Sequence, residues 1–111
     1  MTDTDYEFHP VAKTADLDDD ECIAVSVGRT DIGIYKLGGQ YYALSDICTH
    51  AYAAMTDGYV EDGQVECPLH GACFDIKTGK ALTAPATDDL DCYPVRIEGD
   101  QILVGLPKSG D

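Results

Sequence analysis

The sequence predicts a small all-β domain, an antiparallel sandwich or small barrel of short strands joined by tight turns. Three observations predict it. Apolar and polar residues alternate over short stretches, glycine-containing pairs separate those stretches, and no segment carries an apolar stripe of helical spacing and length. The chain has 111 residues, enough for one domain with one modest core. We therefore expect residues 1–111 to form a single domain.

The individual strands are predicted from alternation and from turn chemistry. Ile23, Val25 and Val27 alternate with small or polar residues, which is typical of a half-buried strand, and an acidic stretch expected to be a solvated turn precedes them. Two apolar runs flank Gly38-Gly39, a strong signal for a two-residue hairpin. The runs predicted as strands are 23–27, 32–37, 40–44, 95–97 and 102–104. The predicted turns are 16–21, 38–39, 57–58, 62–63 and 99–100.

The chain is strongly acidic, with 21 acidic against 7 basic residues and a formal net charge of −14. Such a surface repels phosphates and anionic headgroups, so neither nucleic acid nor a membrane is expected as a partner. It favours docking onto basic patches of other proteins, with association that weakens as salt rises, although solubility alone also explains the charge. No apolar run approaches the roughly 20 residues of a membrane-spanning helix, and the start lacks signal-peptide features, so a cytoplasmic location is expected.

Two short motifs supply the candidate metal ligands. Residues 48–50 read C-x-H and, sixteen residues later, residues 67–70 read C-x-x-H. Two thiolates and two imidazoles on two loops can surround one metal centre. Each loop supplies one cysteine and one histidine, which fits a diiron cluster with two cysteines on one iron and two histidines on the other. Zinc, in an interaction module without a redox role, is the competing metal. The candidate ligands are Cys48, His50, Cys67 and His70.

These motifs, followed by Phe74-Asp75 and the Thr-Gly-Lys triplet at 78–80, resemble the two cluster loops and hairpin of the Rieske iron–sulfur fold. Segments 55–60, 81–86 and 93–97 extend the match to the ferredoxin components of bacterial aromatic-ring-hydroxylating dioxygenase systems, of the naphthalene dioxygenase type. The resemblance implies one Rieske-type 2Fe–2S cluster on the four ligands. It also implies an antiparallel base domain, a cluster-binding subdomain at about 46–84, and a third loop around Pro85 that shields the cluster.

The same resemblance implies a soluble one-electron carrier between an NAD(P)H-dependent flavin reductase and a terminal oxygenase, with both proteins as partners and a monomeric free form. The chain itself is not expected to be an enzyme. Its three histidines cannot supply both a cluster and the two-histidine iron site of an oxygenase. No dinucleotide fingerprint is present, and no substrate-sized pocket is expected. The alternative is a Rieske subunit held permanently in another redox enzyme, such as a nitrite reductase small subunit.

The sequence departs from respiratory Rieske proteins at two places. Those proteins carry a disulfide between the cluster loops, whereas the corresponding positions here are Ala53 and Leu69. They also place Ser and Tyr hydroxyls against cluster sulfurs, which residues 71–74 (Gly-Ala-Cys-Phe) do not supply. Fewer hydrogen bonds to sulfur lower the potential, so we expect roughly −150 mV, near the bottom of the Rieske range. The other cysteines, expected to be buried apolar side chains, are Cys22, Cys73 and Cys92.

Overall fold

A computed structural model of the protein describes residues 6–47, 54–68, 71–83 and 89–107. Within these ranges the regular structure consists of ten strands and two 3-10 helices, without an α-helix, and the all-β prediction is confirmed. The strands are β1 (Tyr6–Lys13), β2 (Glu21–Val27), β3 (Thr30–Leu37), β4 (Gln40–Ser45), β5 (Tyr59–Glu61), β6 (Gln64–Glu66), β7 (Cys73–Asp75), β8 (Cys92–Tyr93), β9 (Val95–Glu98) and β10 (Gln101–Pro107). The 3-10 helices are Thr14–Asp16 and Met55–Asp57.

The strands form three antiparallel sheets. An outer sheet has the order β1-β10-β9, a central sheet the order β2-β3-β4-β8, and a small sheet the order β5-β6-β7. Strand β1 pairs with β10 from Tyr6↔Pro107 to Lys13↔Gln101, with a register shift between Pro10 and Ala12. The two ends of the described chain are therefore joined in one sheet.

Strand β3 is buried on both of its faces, because successive side chains of a strand point to opposite sides. Ile32 and Ile34 pack into a base core with residues of β10, and Tyr35 and Leu37 pack into an upper core with residues of the small sheet. The central sheet thus lies between the other two sheets. The buried base-core residues are Leu17, Ile32, Ile34, Ala43, Ile102 and Val104. The buried upper-core residues are Tyr35, Leu37, Leu44, Met55, Val65, Cys67, Ala72, Phe74, Ile76 and Leu90.

The hairpins predicted from glycine pairs are confirmed. Leu37 pairs with Gln40 across Gly38-Gly39, whose φ values of 55° and 82° suit a turn that matches the right-handed twist of the strands. The turns at 62–63 and 99–100 likewise join β5 to β6 and β9 to β10 as two-residue loops. The acidic turn before β2 is exposed as expected, except that Leu17 within it is buried in the base core. No helix in the described ranges is long and apolar enough to cross a membrane.

Candidate metal centre

The structure describes one of the four predicted ligands, Cys67. This residue directly follows β6 and is only 1% exposed. Its backbone N–H donates to the carbonyl of Ala72 at 2.8 Å, and its carbonyl accepts from the N–H of Gly71 at 3.1 Å, so backbone bonds close the second ligand loop. The other predicted ligands lie outside the described residues, as do three positions that the resemblance singled out. The undescribed ligands are Cys48, His50 and His70, and the other three positions are Ala53, Leu69 and Pro85.

The two ends of the first ligand loop lie side by side. Ile47 and Ala54 form an isolated antiparallel bridge, and the N–H of Met55 donates to the carbonyl of Asp46 at 2.7 Å. The chain therefore leaves the central sheet after β4 and returns to the same place before the second 3-10 helix. The described residues on either side of segment 48–53, which contains the C-x-H motif, are therefore joined to each other.

Asp46 is a buried carboxylate at the base of this loop, with 4% of its surface exposed. Its Oδ1 accepts from the N–H of Thr56 at 2.8 Å, and its Oδ2 accepts from the Thr56 hydroxyl at 2.9 Å. Burial raises the pKa of Asp46 because the charged form loses solvation; the two bonds from Thr56 lower it, and the nearby Asp57 and Asp31 charges raise it further. No pattern in the sequence distinguished this aspartate from the other acidic residues.

A close backbone approach brings the two motif-bearing segments together. A Cβ on Gly58 would overlap the carbonyl oxygen of Glu66, the residue immediately before Cys67. Gly58 also donates its N–H to the carbonyl of Met55 at 2.9 Å. The chain that leaves the first loop thus lies against the strand that carries Cys67, which places the bases of the two predicted ligand loops next to each other.

The described residues on either side of the third predicted loop, around Pro85, lie close to each other. Segment 81–83 runs beside β7, where Leu82 donates its N–H to the carbonyl of Cys73 at 2.8 Å. The N–H of Ala81 donates to Oδ1 of Asp89 at 2.8 Å. Residues on either side of segment 84–88, which contains Pro85, are therefore hydrogen-bonded neighbours.

The described non-ligand cysteines are free thiols, and the prediction that all of them are buried is wrong. Cys92 is exposed because β8 is a two-residue strand at the edge of the central sheet, and its Sγ donates to the carbonyl of Thr78 at 2.7 Å. Cys73 is half-buried. Cys22 is also half-buried, and burial raises the pKa of its thiol to about 11, with smaller contributions from Asp46 and other acidic neighbours.

An open pocket on the surface bears on the expectation of no substrate-sized pocket. A surface cavity of about 570 Å³ lies beside the ends of β1 and β10, within the size range of small-molecule sites. Its lining residues are Tyr6, Thr30, Asp91, Cys92, Tyr93, Leu106 and Pro107, which include none of the predicted ligands.

The donor set fits a mixed-ligand iron–sulfur cluster. The described donor, Cys67, is a buried sulfur at the start of a hydrogen-bonded loop, and a cluster ligand needs this shielding from water. The approach of Gly58 to β6 brings the chain that follows the first motif against Glu66, the residue before Cys67. Two sulfur and two imidazole donors match the ligand chemistry of a Rieske centre.

Comparison with known proteins agrees with this assignment. Residues 7–94 match the Rieske [2Fe-2S] domain. The chain is 46% identical over 96 residues to the 3-phenylpropionate/cinnamic acid dioxygenase ferredoxin subunit of Escherichia coli (strain K12), covering 86% of this chain and 90% of the relative.

Solved structures show the same similarity. The Sphingomonas yanoikuyae B1 ferredoxin superposes with a TM-score of 0.86 at 32% identity, covering 91% of this chain and all of that one (100%). A chain in the complex of reduced oxygenase and oxidised ferredoxin of carbazole 1,9a-dioxygenase superposes with a TM-score of 0.83 at 30% identity. The match covers 87% of this chain and 91% of that one. A Mycobacterium tuberculosis protein assigned as an NADH-dependent nitrite reductase small subunit superposes with a TM-score of 0.81. Its sequence identity is only 19%, so this similarity shows a shared fold alone.

Proposed function

Because this chain belongs to the family of Rieske [2Fe-2S] domains, we propose that it is the ferredoxin of an aromatic-ring-hydroxylating dioxygenase system. In this role it carries single electrons from an NAD(P)H-dependent flavin reductase to the terminal oxygenase, without turning over a substrate itself. The observation that carries the proposal is the 46% identity over 90% of a dioxygenase ferredoxin subunit. A permanently bound nitrite reductase subunit has weaker support, since that similarity is limited to the fold.

The cofactor of this family is a Rieske-type 2Fe–2S cluster, and we propose Cys48, His50, Cys67 and His70 as its four ligands. When bound, the cluster supplies the one-electron chemistry. Two neutral imidazoles in place of two thiolates leave it less negative, so it accepts an electron more readily than an all-cysteine cluster.

The chain's own contribution is to hold the loops still and to exclude water. We propose that segment 46–84 is the cluster-binding subdomain, with Pro85 in a third shielding loop. Its support is the upper core, where Val65 and Phe74 of the small sheet are fully buried against the central sheet. A well-packed base of this kind favours electron exchange without rearrangement of the domain.

The outer face of the small sheet is acidic, which suits docking onto a basic surface of a partner. Cross-strand pairing places Tyr59 opposite Glu66 and places Glu61 opposite Gln64, so these side chains share the face that points away from Val65 and Phe74. Tyr59 is 69% exposed there. We propose that this acidity guides approach of the reductase and the oxygenase, and that the carrier is a cytoplasmic monomer between encounters.

Two measurements test the function. The purified protein should show a reddish-brown visible spectrum with two irons and two acid-labile sulfides per cluster, and a colourless zinc protein would refute the proposal. In a reconstituted system, omission of this protein should abolish electron flow from NAD(P)H through the reductase to an oxygenase. The rate should fall as salt rises, because the encounter is electrostatic.

Sedimentation separates the two Rieske roles. A shuttle should sediment as a monomer that binds its partners transiently. Co-purification in a stoichiometric complex that resists high salt would instead support the permanently bound subunit.

A further inference from the structure

We propose that Asp46 and Thr56 form a clasp that positions the first ligand loop, and through it Cys48 and His50, for cluster binding. This inference deepens the proposed function and rests on its ligand set. Asp46 and Thr56 are positioning residues, since neither is a proposed ligand of the cluster.

The clasp consists of three hydrogen bonds between the two ends of the loop. The carbonyl of Asp46 accepts from the N–H of Met55 at 2.7 Å, and the two carboxylate oxygens of Asp46 accept from the N–H and the hydroxyl of Thr56 at 2.8 and 2.9 Å. All three bonds close the same segment, residues 47–54. Apart from them, the described ends of the loop are joined by the single bridge between Ile47 and Ala54.

Both halves of the clasp are fixed to the central sheet from behind. The N–H of Asp46 donates to the carbonyl of Asp31 in β3 at 2.9 Å. The methyl group of Thr56 lies over Gly33 of β3, so closely that a Cβ on Gly33 would stand 2.9 Å from it. Cys22 of β2 donates its Sγ to the carbonyl of Thr56 at 3.6 Å. The clasp therefore ties the loop to the rigid part of the domain.

A carboxylate is a costly choice at this place, which argues for a specific role. Among the described residues, Asp46 is the one charged side chain that is buried. Burying a charge is unfavourable unless hydrogen bonds satisfy it, and here both oxygens are satisfied by one residue on the far side of the loop. Hydrogen-bond partners that orient metal ligands have large effects on metal binding.

The test compares cluster retention in matched variants of the holoprotein. Asp46→Ala removes both carboxylate acceptors, and Thr56→Val removes the hydroxyl while keeping the shape of the side chain. Thr56→Ser keeps the hydroxyl. Asp57→Ala is the charge control, because Asp57 lies in the same 3-10 helix and is exposed.

In excess chelator at a temperature where every variant is folded, the visible absorbance should decay roughly tenfold faster in Asp46→Ala and measurably faster in Thr56→Val. The electron paramagnetic resonance lines of the reduced cluster should broaden in the same two variants, which a uniform loss of stability would not produce. Asp57→Ala should match the wild type in both measurements. Thr56→Ser, which keeps the hydroxyl but loses the methyl contact with Gly33, should lie closer to the wild type than Thr56→Val does.

Wild-type decay rates and line widths in Asp46→Ala and Thr56→Val would overturn the clasp. If Asp46→Ala does not accumulate as folded protein, Thr56→Val decides by the same two measurements. A wild-type protein without iron and sulfide would refute the proposed function instead. In that case amide hydrogen exchange of residues 54–58 tests the clasp. Exchange should be faster in Asp46→Ala and Thr56→Val than in Asp57→Ala, and equal rates would overturn the clasp.

Discussion

Replacing Gly58 with alanine is expected to force apart the two segments that carry the ligand motifs. The added Cβ would overlap the carbonyl oxygen of Glu66 and stand 3.2 Å from the carbonyl oxygen of Met55. Both obstacles are backbone atoms, so no rotation of a side chain relieves the overlap. Either β6 or the preceding 3-10 helix must move, and Cys67 moves with β6.

The expected cost follows from the nature of the contact. Overpacking in a well-packed interior costs about 1–3 kcal/mol, and a collision with backbone belongs at the upper end, about 3 kcal/mol. That is roughly a hundredfold change in the ratio of folded to unfolded protein. For a domain of this size it corresponds to a fall of roughly 10–20 °C in the unfolding temperature.

Gly99→Ala is the matched control, because it changes the same atoms without a collision. Gly99 has a φ of 63° in the turn between β9 and β10, and nothing lies within 4 Å of the added Cβ. It should cost only the strain of an alanine with positive φ, about 1 kcal/mol.

Thermal unfolding followed by circular dichroism, together with iron content per chain, measures both effects of the Gly58 substitution. Gly58→Ala should unfold well below Gly99→Ala and should lose iron as well. Equal unfolding temperatures and equal iron contents in these two variants would refute the close contact between Gly58 and β6.

Two further predictions concern protons, and a third concerns a proposed ligand. Between pH 9 and 11 the Cys22 thiol stays protonated in the folded protein but ionises in the unfolded chain, whose thiol has an ordinary pKa of 9.0; stability therefore falls as pH rises through this window. The unfolding temperature of Cys22→Ala should fall less steeply over the same window, and parallel curves would contradict the raised pKa. The reduction potential, expected near roughly −150 mV, should fall at alkaline pH as the proposed ligands His50 and His70 lose protons. His50→Cys should give a thiolate-like spectrum and a lower potential, and an unchanged potential would count against His50 as a ligand.

The local elements could be predicted because short-range chemistry specifies them. The Gly38-Gly39 pair favours positive φ at two successive residues, which suits only a narrow class of hairpin turns. Alternation at Ile23, Val25 and Val27 predicts one buried face and one exposed face, and that side of β2 is half-buried as expected. The proposed set of ligands follows from residue type and spacing, which reflect the chemistry of iron rather than the fold, and it stays a prediction.

The long-range contacts could not be predicted in the same way. No strand was predicted over residues 6–13, and no local pattern indicates that β1 pairs with β10, some ninety residues away in sequence. Cys92 was predicted to be buried because cysteine usually is, but exposure at a sheet edge depends on which strand ends there.

The sequence by itself therefore determined the strand-rich class of the fold and the tight hairpins, and it supplied the hypothesis for the metal-binding side chains. Each of these depends on a few neighbouring residues and on the intrinsic chemistry of their side chains. Only the tertiary structure decided that Asp46, among 21 acidic residues, is buried and bonded to Thr56, and that Gly58 lies against Glu66. Such contacts arise when distant segments pack together, and burial and close approach are properties of that packing rather than of any local pattern.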